Sequence, residues 1–137
     1  MPHQKVVFVC LHGAAKSVIA AELFDRRSTE TGMAARAVAL GLEPDPDVSP
    51  AAAAGLLGEG IDVRAYRPRA VTTADLADAS RVVAFACDLA AVAPAALPVE
   101  QWPEIPAVSD GYAVARARIA DRVDRLIDEL RPAAARS

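Results

Sequence analysis

The chain has 137 residues, of which 53% are apolar, and a formal net charge of −3. That length fits one domain spanning 1–137, and the apolar fraction excludes a disordered chain. The acidic balance excludes a general nucleic-acid or anionic-membrane surface, while a local anion pocket stays open.

In chain order, Val6-Val7-Phe8-Val9 is too short for a signal core or a membrane span, which implies a cytoplasmic protein with no membrane partner. Lys5 to Val9 instead reads as a strand buried on both faces. A turn from Cys10 to Lys16 leads into a helix near Ser17, with Ile19, Leu23 and Phe24 as its apolar stripe and Gly32 as its stop. Ala37 to Leu40 is a second short strand, and Gly41 to Asp47 is a loop by its turn chemistry. Ser49-Pro50 opens a helix through the alanine run, ending in Gly58-Glu59-Gly60.

Thr72 or Thr73 caps a short helix through Leu76, and Arg81 to Ala86 is a strand that delivers Cys87 and Asp88. Val99 to Trp102 is the last strand. The final helix runs from about Gly111 to Leu130, with Ile119, Val123, Leu126, Ile127 and Leu130 on one face and Pro132 beyond it. Asp110 is placed to cap that helix. Alternating strands and helices predict an α/β fold with an open parallel sheet, whose ligands bind beyond the C-terminal strand ends. Cys10 and Cys87 both fall there, which predicts that they face one pocket.

Two cysteines make no disulfide framework, and with His3 and His12 at no ligand spacing they make no structural zinc site. The chemistry concentrates in Val9-Cys10-Leu11-His12-Gly13-Ala14-Ala15-Lys16-Ser17. A turn of small residues between a strand and a helix aims the amides of Leu11, His12, Gly13, Ala14, Ala15, Lys16 and Ser17 at one point. With the positive helix end they form a nest for a tetrahedral oxyanion. The same field favours the thiolate of Cys10, Lys16 adds a positive charge, and the Ser17 hydroxyl can donate to the sulfur. The bland alternative is a small buried hydrophobe at a strand end, with His12 a structural loop side chain.

This segment resembles the Cys-x5-Arg-Ser loop of the low-molecular-weight protein tyrosine phosphatases and the related thiol-dependent arsenate reductases. Gly41, Ser49-Pro50, Gly60 to Val63, Val82 to Asp88 and Trp102 to Ala107 follow in the family's order. The resemblance implies an open three-layer fold with a four-stranded parallel sheet flanked by helices. It also implies Cys10 as nucleophile toward arsenate, phosphate or a phosphomonoester, Cys87 as a resolving thiol, and no metal or organic cofactor. A thiol reductant such as thioredoxin, glutathione or mycothiol would serve a reductase. The Cys-x-His context leans toward the reductase branch.

The chain departs from the family at several positions. Lys16 replaces the loop Arg and supplies a point charge where a planar fork grips two oxygens. Gly13 replaces a bracing Asn, Ala39 a supporting Ser, and Ile105 the general-acid Asp. Glu104 is the nearest substitute acid, ahead of Asp88 and Asp110, and Pro94 stands where thioredoxin-coupled members carry a third thiol. Trp102 and Tyr112 are the available substrate-facing aromatics. Three readings therefore stand: an arsenate-reductase-like enzyme, a phosphatase acting through a phospho-cysteine, and a catalytically impaired oxyanion-binding or regulatory protein.

Overall fold

Val6 to Val9 are fully buried, because their strand lies at the centre of the sheet with both faces covered. The computed structural model describes residues 4–131; His3 and Pro132 lie outside them. The elements are β1 (Gln4–Cys10), α1 (Lys16–Glu30), β2 (Ala35–Gly41), α2 (Pro50–Leu57), α3 (Thr73–Ala77), β3 (Arg81–Ala84), β4 (Glu100–Gln101) and α4 (Tyr112–Leu130). A single 3-10 turn, Val108–Asp110, precedes α4. The sheet is parallel, as the sequence predicts, and four-stranded, as the resemblance implies; its strand order is β2-β1-β3-β4. No helix among the described residues is long and apolar enough to cross a membrane.

The period-two alternation of β1 divides the core. Val6, Phe8 and Cys10 face the cluster built with α1 and α4, where Phe24, Ile19, Ile119, Val123 and Leu126 are buried. Val7 and Val9 face the other side with Leu40, Val71, Leu76 and Val82. All three phenylalanines and the single tryptophan meet on the first side. Phe8 lies 6.1 Å from Phe24, 6.4 Å from Phe85 and 5.7 Å from Trp102, centroid to centroid. These four rings thus form one interlocked patch under the sheet.

Local chemistry sets most boundaries. The Ser49 hydroxyl accepts from the Ala52 amide at 3.4 Å, with Pro50 at the first turn of α2. Thr72 caps α3 in a reciprocal capping box with Asp75, and Arg69 pairs bidentately with that carboxylate at 2.9 and 3.0 Å. Gly32, at φ +71°, ends α1 where the sequence places the stop. Glu59 ties three helices together, accepting from Tyr112 Oη and from Arg116 at 2.9 Å while its carbonyl accepts from Arg26 at 2.9 Å.

Two expectations are corrected. Asp110 does not cap α4; it lies in the 3-10 turn, and Gly111 takes the cap position without a side-chain bond. The third strand stops at Ala84 rather than Ala86, because Ala86 sits in the left-handed region at φ +57° and turns the chain out of the sheet. That conformation costs an L-residue about 1–2 kcal/mol, whereas glycine adopts it freely at an unfolded-state cost of about 0.5–1 kcal/mol. Ala86 is exposed and loses no burial on truncation. Ala86→Gly is therefore expected to stabilise the fold by about 0.5–1 kcal/mol, read as a rise of about 2 °C in Tm by calorimetry; a fall in Tm contradicts the strain.

Candidate active site

The loop between β1 and α1 is held from one side by the segment after β2. The amides of Leu42, Glu43, Asp45 and Ser49 donate to the carbonyls of Cys10, Leu11, His12 and Ala14 at 3.2, 2.7, 3.0 and 2.8 Å. In a trans peptide the carbonyl and the following N–H point opposite ways. The N–H groups of Leu11, His12, Gly13 and Ala15 are therefore turned away from this clamp. α1 begins next to them without a side-chain cap, so its first amides are also available at the positive end of its dipole.

Two glycines make the contact between loop and clamp possible. Gly13 has φ +61°, and a Cβ on it would lie 2.8 Å from the Gly41 nitrogen. A Cβ on Gly41 would lie 2.7 Å from the Gly13 nitrogen and 2.8 Å from the His12 carbonyl carbon. Backbone thus packs on backbone, and this close approach does the bracing that the sequence finds missing when Gly13 stands in place of Asn.

Cys10, 7% exposed, points to the bottom of a cavity of about 300 Å³. Its Sγ lies 3.0 Å from Oγ of the fully buried Ser17, which can donate to a thiolate. Lys16 also lines the cavity, and its Nζ donates to the Ile105 carbonyl at 2.9 Å. An ammonium has three protons, so two remain for an anion in the loop. The walls are Leu11, Phe85 and Ala107 to Ser109, and the rim carries His12, Asp45 and Ser49. A buried thiol, a set of inward amides and one cation can together hold a tetrahedral oxyanion and attack its central atom.

Sequence and structure differ on which residues share this cavity. Cys10, Leu11, His12, Ala14, Ala15 and Lys16 line it, with Ser17 beneath and Gly13 packed on the clamp. Cys87 does not line it. Val83 and Phe85 lie on the face of Cys10, and an extended strand would have placed Cys87 there too. The left-handed Ala86 breaks the alternation, and Cys87 packs against the opposite cluster with its thiol donating to the Val9 carbonyl at 3.5 Å. Burial pushes the Cys87 thiol up, with Cys10 and Asp88 adding to the rise.

Glu104 is also elsewhere. Its carboxylate takes Nε and a terminal nitrogen of Arg122 at 2.6 and 2.9 Å, in a separate groove with Arg118 and Arg125. Arg122 holds that carboxyl below its usual range. Asp88 accepts from the Ala90 amide at 2.9 Å as a turn residue. Trp102 is 1% exposed, and Tyr112 packs its ring on Gly55; neither lines the cavity. Sequence reasoning missed Asp45 and Ser49 as rim residues, reading one as turn chemistry and the other as a helix cap. The density of polar turn residues between Gly41 and Ser49 was the available signal.

A parallel sheet with a buried thiol at its central strand end, beside an uncapped helix and under an amide loop, defines a class of cysteine-based oxyanion-handling α/β proteins. The description "low molecular weight phosphotyrosine protein phosphatase" matches residues 5–101, and the chain belongs to that family, among the cysteine-based phosphatases and reductases. No curated protein matches the chain. Solved structures similar to it include an arsenate reductase in the phosphate-binding state, at 21% identity and a TM-score of 0.76, covering 93% of this chain and 99% of that one. An arsenate reductase from Archaeoglobus fulgidus is 27% identical at a TM-score of 0.68, over 89% and 98%. A low-molecular-weight protein tyrosine phosphatase from T. tengcongensis is 22% identical at 0.72, over 93% and 99%.

The Gly13–Gly41 approach yields a direct test. In Gly41→Ala the new methyl overlaps backbone that has no flexible end to yield. The variant is expected to lose about 1–3 kcal/mol of stability; the parent is expected to gain Tm on addition of phosphate, and the variant to lose most of that gain. Thermal unfolding with and without phosphate measures both, and an unchanged phosphate response contradicts the interlock.

Proposed function

We propose that the protein is a phosphomonoesterase that works through a phospho-cysteine at Cys10. The observation that carries this reading is that Cys10 is the one thiol lining the cavity among the described residues. Hydrolysis through a covalent intermediate needs a single thiol. An intramolecular reductase cycle needs two in reach of each other, and Cys87 packs on the opposite face. The Cys10 thiolate attacks phosphorus, the P–S bond forms as the ester P–O bond breaks, and water then displaces the sulfur to release phosphate. Amides of the loop and the free protons of Lys16 hold the equatorial oxygens, while Ser17 stabilises the thiolate as leaving group. Lys16 gives this clamp less directional grip than the family's Arg.

A second reading is favoured by the wall after β4, where Ala107, Val108 and Ser109 offer no carboxylic acid. Arsenate carries no organic leaving group, and an arsenylated Cys10 can be cleared by an external thiol such as glutathione or mycothiol. That thiol attacks the Cys10 sulfur, a mixed disulfide forms, and the As–S electron pair leaves with arsenite.

Turnover of aryl phosphates and arsenate-dependent thiol oxidation, each measured on the parent, Cys10→Ser, Cys87→Ser and Glu104→Gln, separates the readings. The phosphatase reading predicts that Cys10→Ser loses about 10³-fold or more of the ester turnover, with the other two variants within about twofold of the parent. Ester turnover surviving Cys10→Ser sinks it. Arsenate-dependent oxidation without ester turnover favours the reductase. Phosphate binding with neither activity leaves an oxyanion-binding protein.

A further inference from the structure

The chemistry proposed above has no evident proton donor. The family position for it is Ile105, whose carbonyl holds Lys16, and Glu104 is locked to Arg122 in another groove. The cavity rim carries one imidazole–carboxylate pair, His12 with Asp45. His12 Nδ1 lies 3.3 Å from the Glu43 carbonyl oxygen and 3.5 Å from Asp45 Oδ1. A carbonyl only accepts, so Nδ1 is the protonated nitrogen in this geometry. Nε2 has no protein partner among the described residues, and His12 is one of the residues that line the cavity.

Backbone bonds bring the two segments that carry the pair together. The Glu43 amide donates to the Leu11 carbonyl at 2.7 Å, and the Asp45 amide donates to the carbonyl of His12 itself at 3.0 Å. These bonds hold the main chain of His12 beside that of Glu43 and Asp45, so the imidazole has both acceptors within reach. A base oriented by a third group, on the cavity that also holds the thiol, is the arrangement general acid–base catalysis requires. The other titratable groups lining the cavity are Cys10 and Lys16, from the loop and α1, while the third wall, Ala107 to Ser109, carries none; Glu43 and Asp47 are clamp residues outside the lining, Asp47 paired with Arg67 at 3.6 Å.

We propose that His12 is the proton-transfer residue of this site, with Asp45 and the Glu43 carbonyl as its positioning groups; this rests on the phosphomonoesterase reading. In the first half-reaction the imidazolium Nε2–H passes its proton to the departing ester oxygen as the P–S bond forms, giving the alcohol and neutral imidazole. In the second, Nε2 takes a proton from the water that attacks phosphorus. The P–S bond then breaks, and phosphate, the Cys10 thiolate and the imidazolium are restored. Protons and electron pairs balance with no further reactant.

The test compares two esters on one sample of enzyme, so that any unfolded fraction cancels from the ratio. Phenyl phosphate releases a phenol of pKa near 10 and needs the proton; 2,4-dinitrophenyl phosphate releases a stable anion and does not. His12→Gln is expected to lower kcat/KM for phenyl phosphate by about 100-fold or more, and for the dinitrophenyl ester by less than about threefold. Asp45→Asn is expected to shift the ratio the same way, by about tenfold. A ratio unchanged by His12→Gln, whether both rates fall together or neither falls, overturns the assignment and leaves the pair a brace. A parent inert toward both esters overturns the phosphomonoesterase reading and this assignment with it.

Discussion

The site depends on the backbone clamp between the Cys10–Ala14 turn and the Leu42–Ser49 segment. Four carbonyls of the turn are consumed by four amides of the clamp, and the glycine pair Gly13 and Gly41 lets the two segments approach to van der Waals limits. A turn with its carbonyls bound on one side must present its amides on the other. The anion nest is therefore a consequence of where the second loop docks, more than of the loop sequence itself. The register of β1 on β2 sets that docking, since Cys10 lies opposite Gly41 in the sheet.

This arrangement accounts for how the chain manages without the usual loop arginine and asparagine. The asparagine's bracing role passes to the glycine contact. The arginine's place is taken by Lys16, whose bond to the Ile105 carbonyl joins the loop to the segment after β4 and closes the cavity from the third side. Such a tether fixes the position of a point charge, although an ammonium cannot supply the bidentate geometry of a guanidinium. Under the proposed assignment, proton transfer likewise moves from the wall after β4 to the clamp side of the cavity, where the imidazole and carboxylate sit.

Much of the fold was legible locally. The β-branched run of β1, the Ser49-Pro50 start of α2, the Thr72 cap and the Gly32 stop each act through neighbours a few residues away. Cys10, Lys16 and Ser17 could be placed together because eight consecutive residues span one strand end and one helix start. What failed to show was non-local. The side that Cys87 faces hinges on one left-handed alanine, which nothing in an alanine's chemistry announces. Glu104 could be numbered next to the family's acid position, but its capture by Arg122 on α4 depends on tertiary packing. Asp45 read as turn chemistry because the contact that brings it to the cavity is made by backbone atoms, so the polar residues between Gly41 and Ser49 marked a loop without showing where it docks.

The most direct measurement of the central claim is the alkylation rate of Cys10 by iodoacetamide in a Cys87→Ser background, with and without inorganic phosphate. A thiol seated beneath a working amide nest must be shielded when the nest is filled, so phosphate is predicted to slow the reaction by about tenfold or more at saturation. Equal rates with and without phosphate, in protein shown to be folded, would mean that the clamp shapes a turn but no oxyanion site, and the account would be wrong at its foundation.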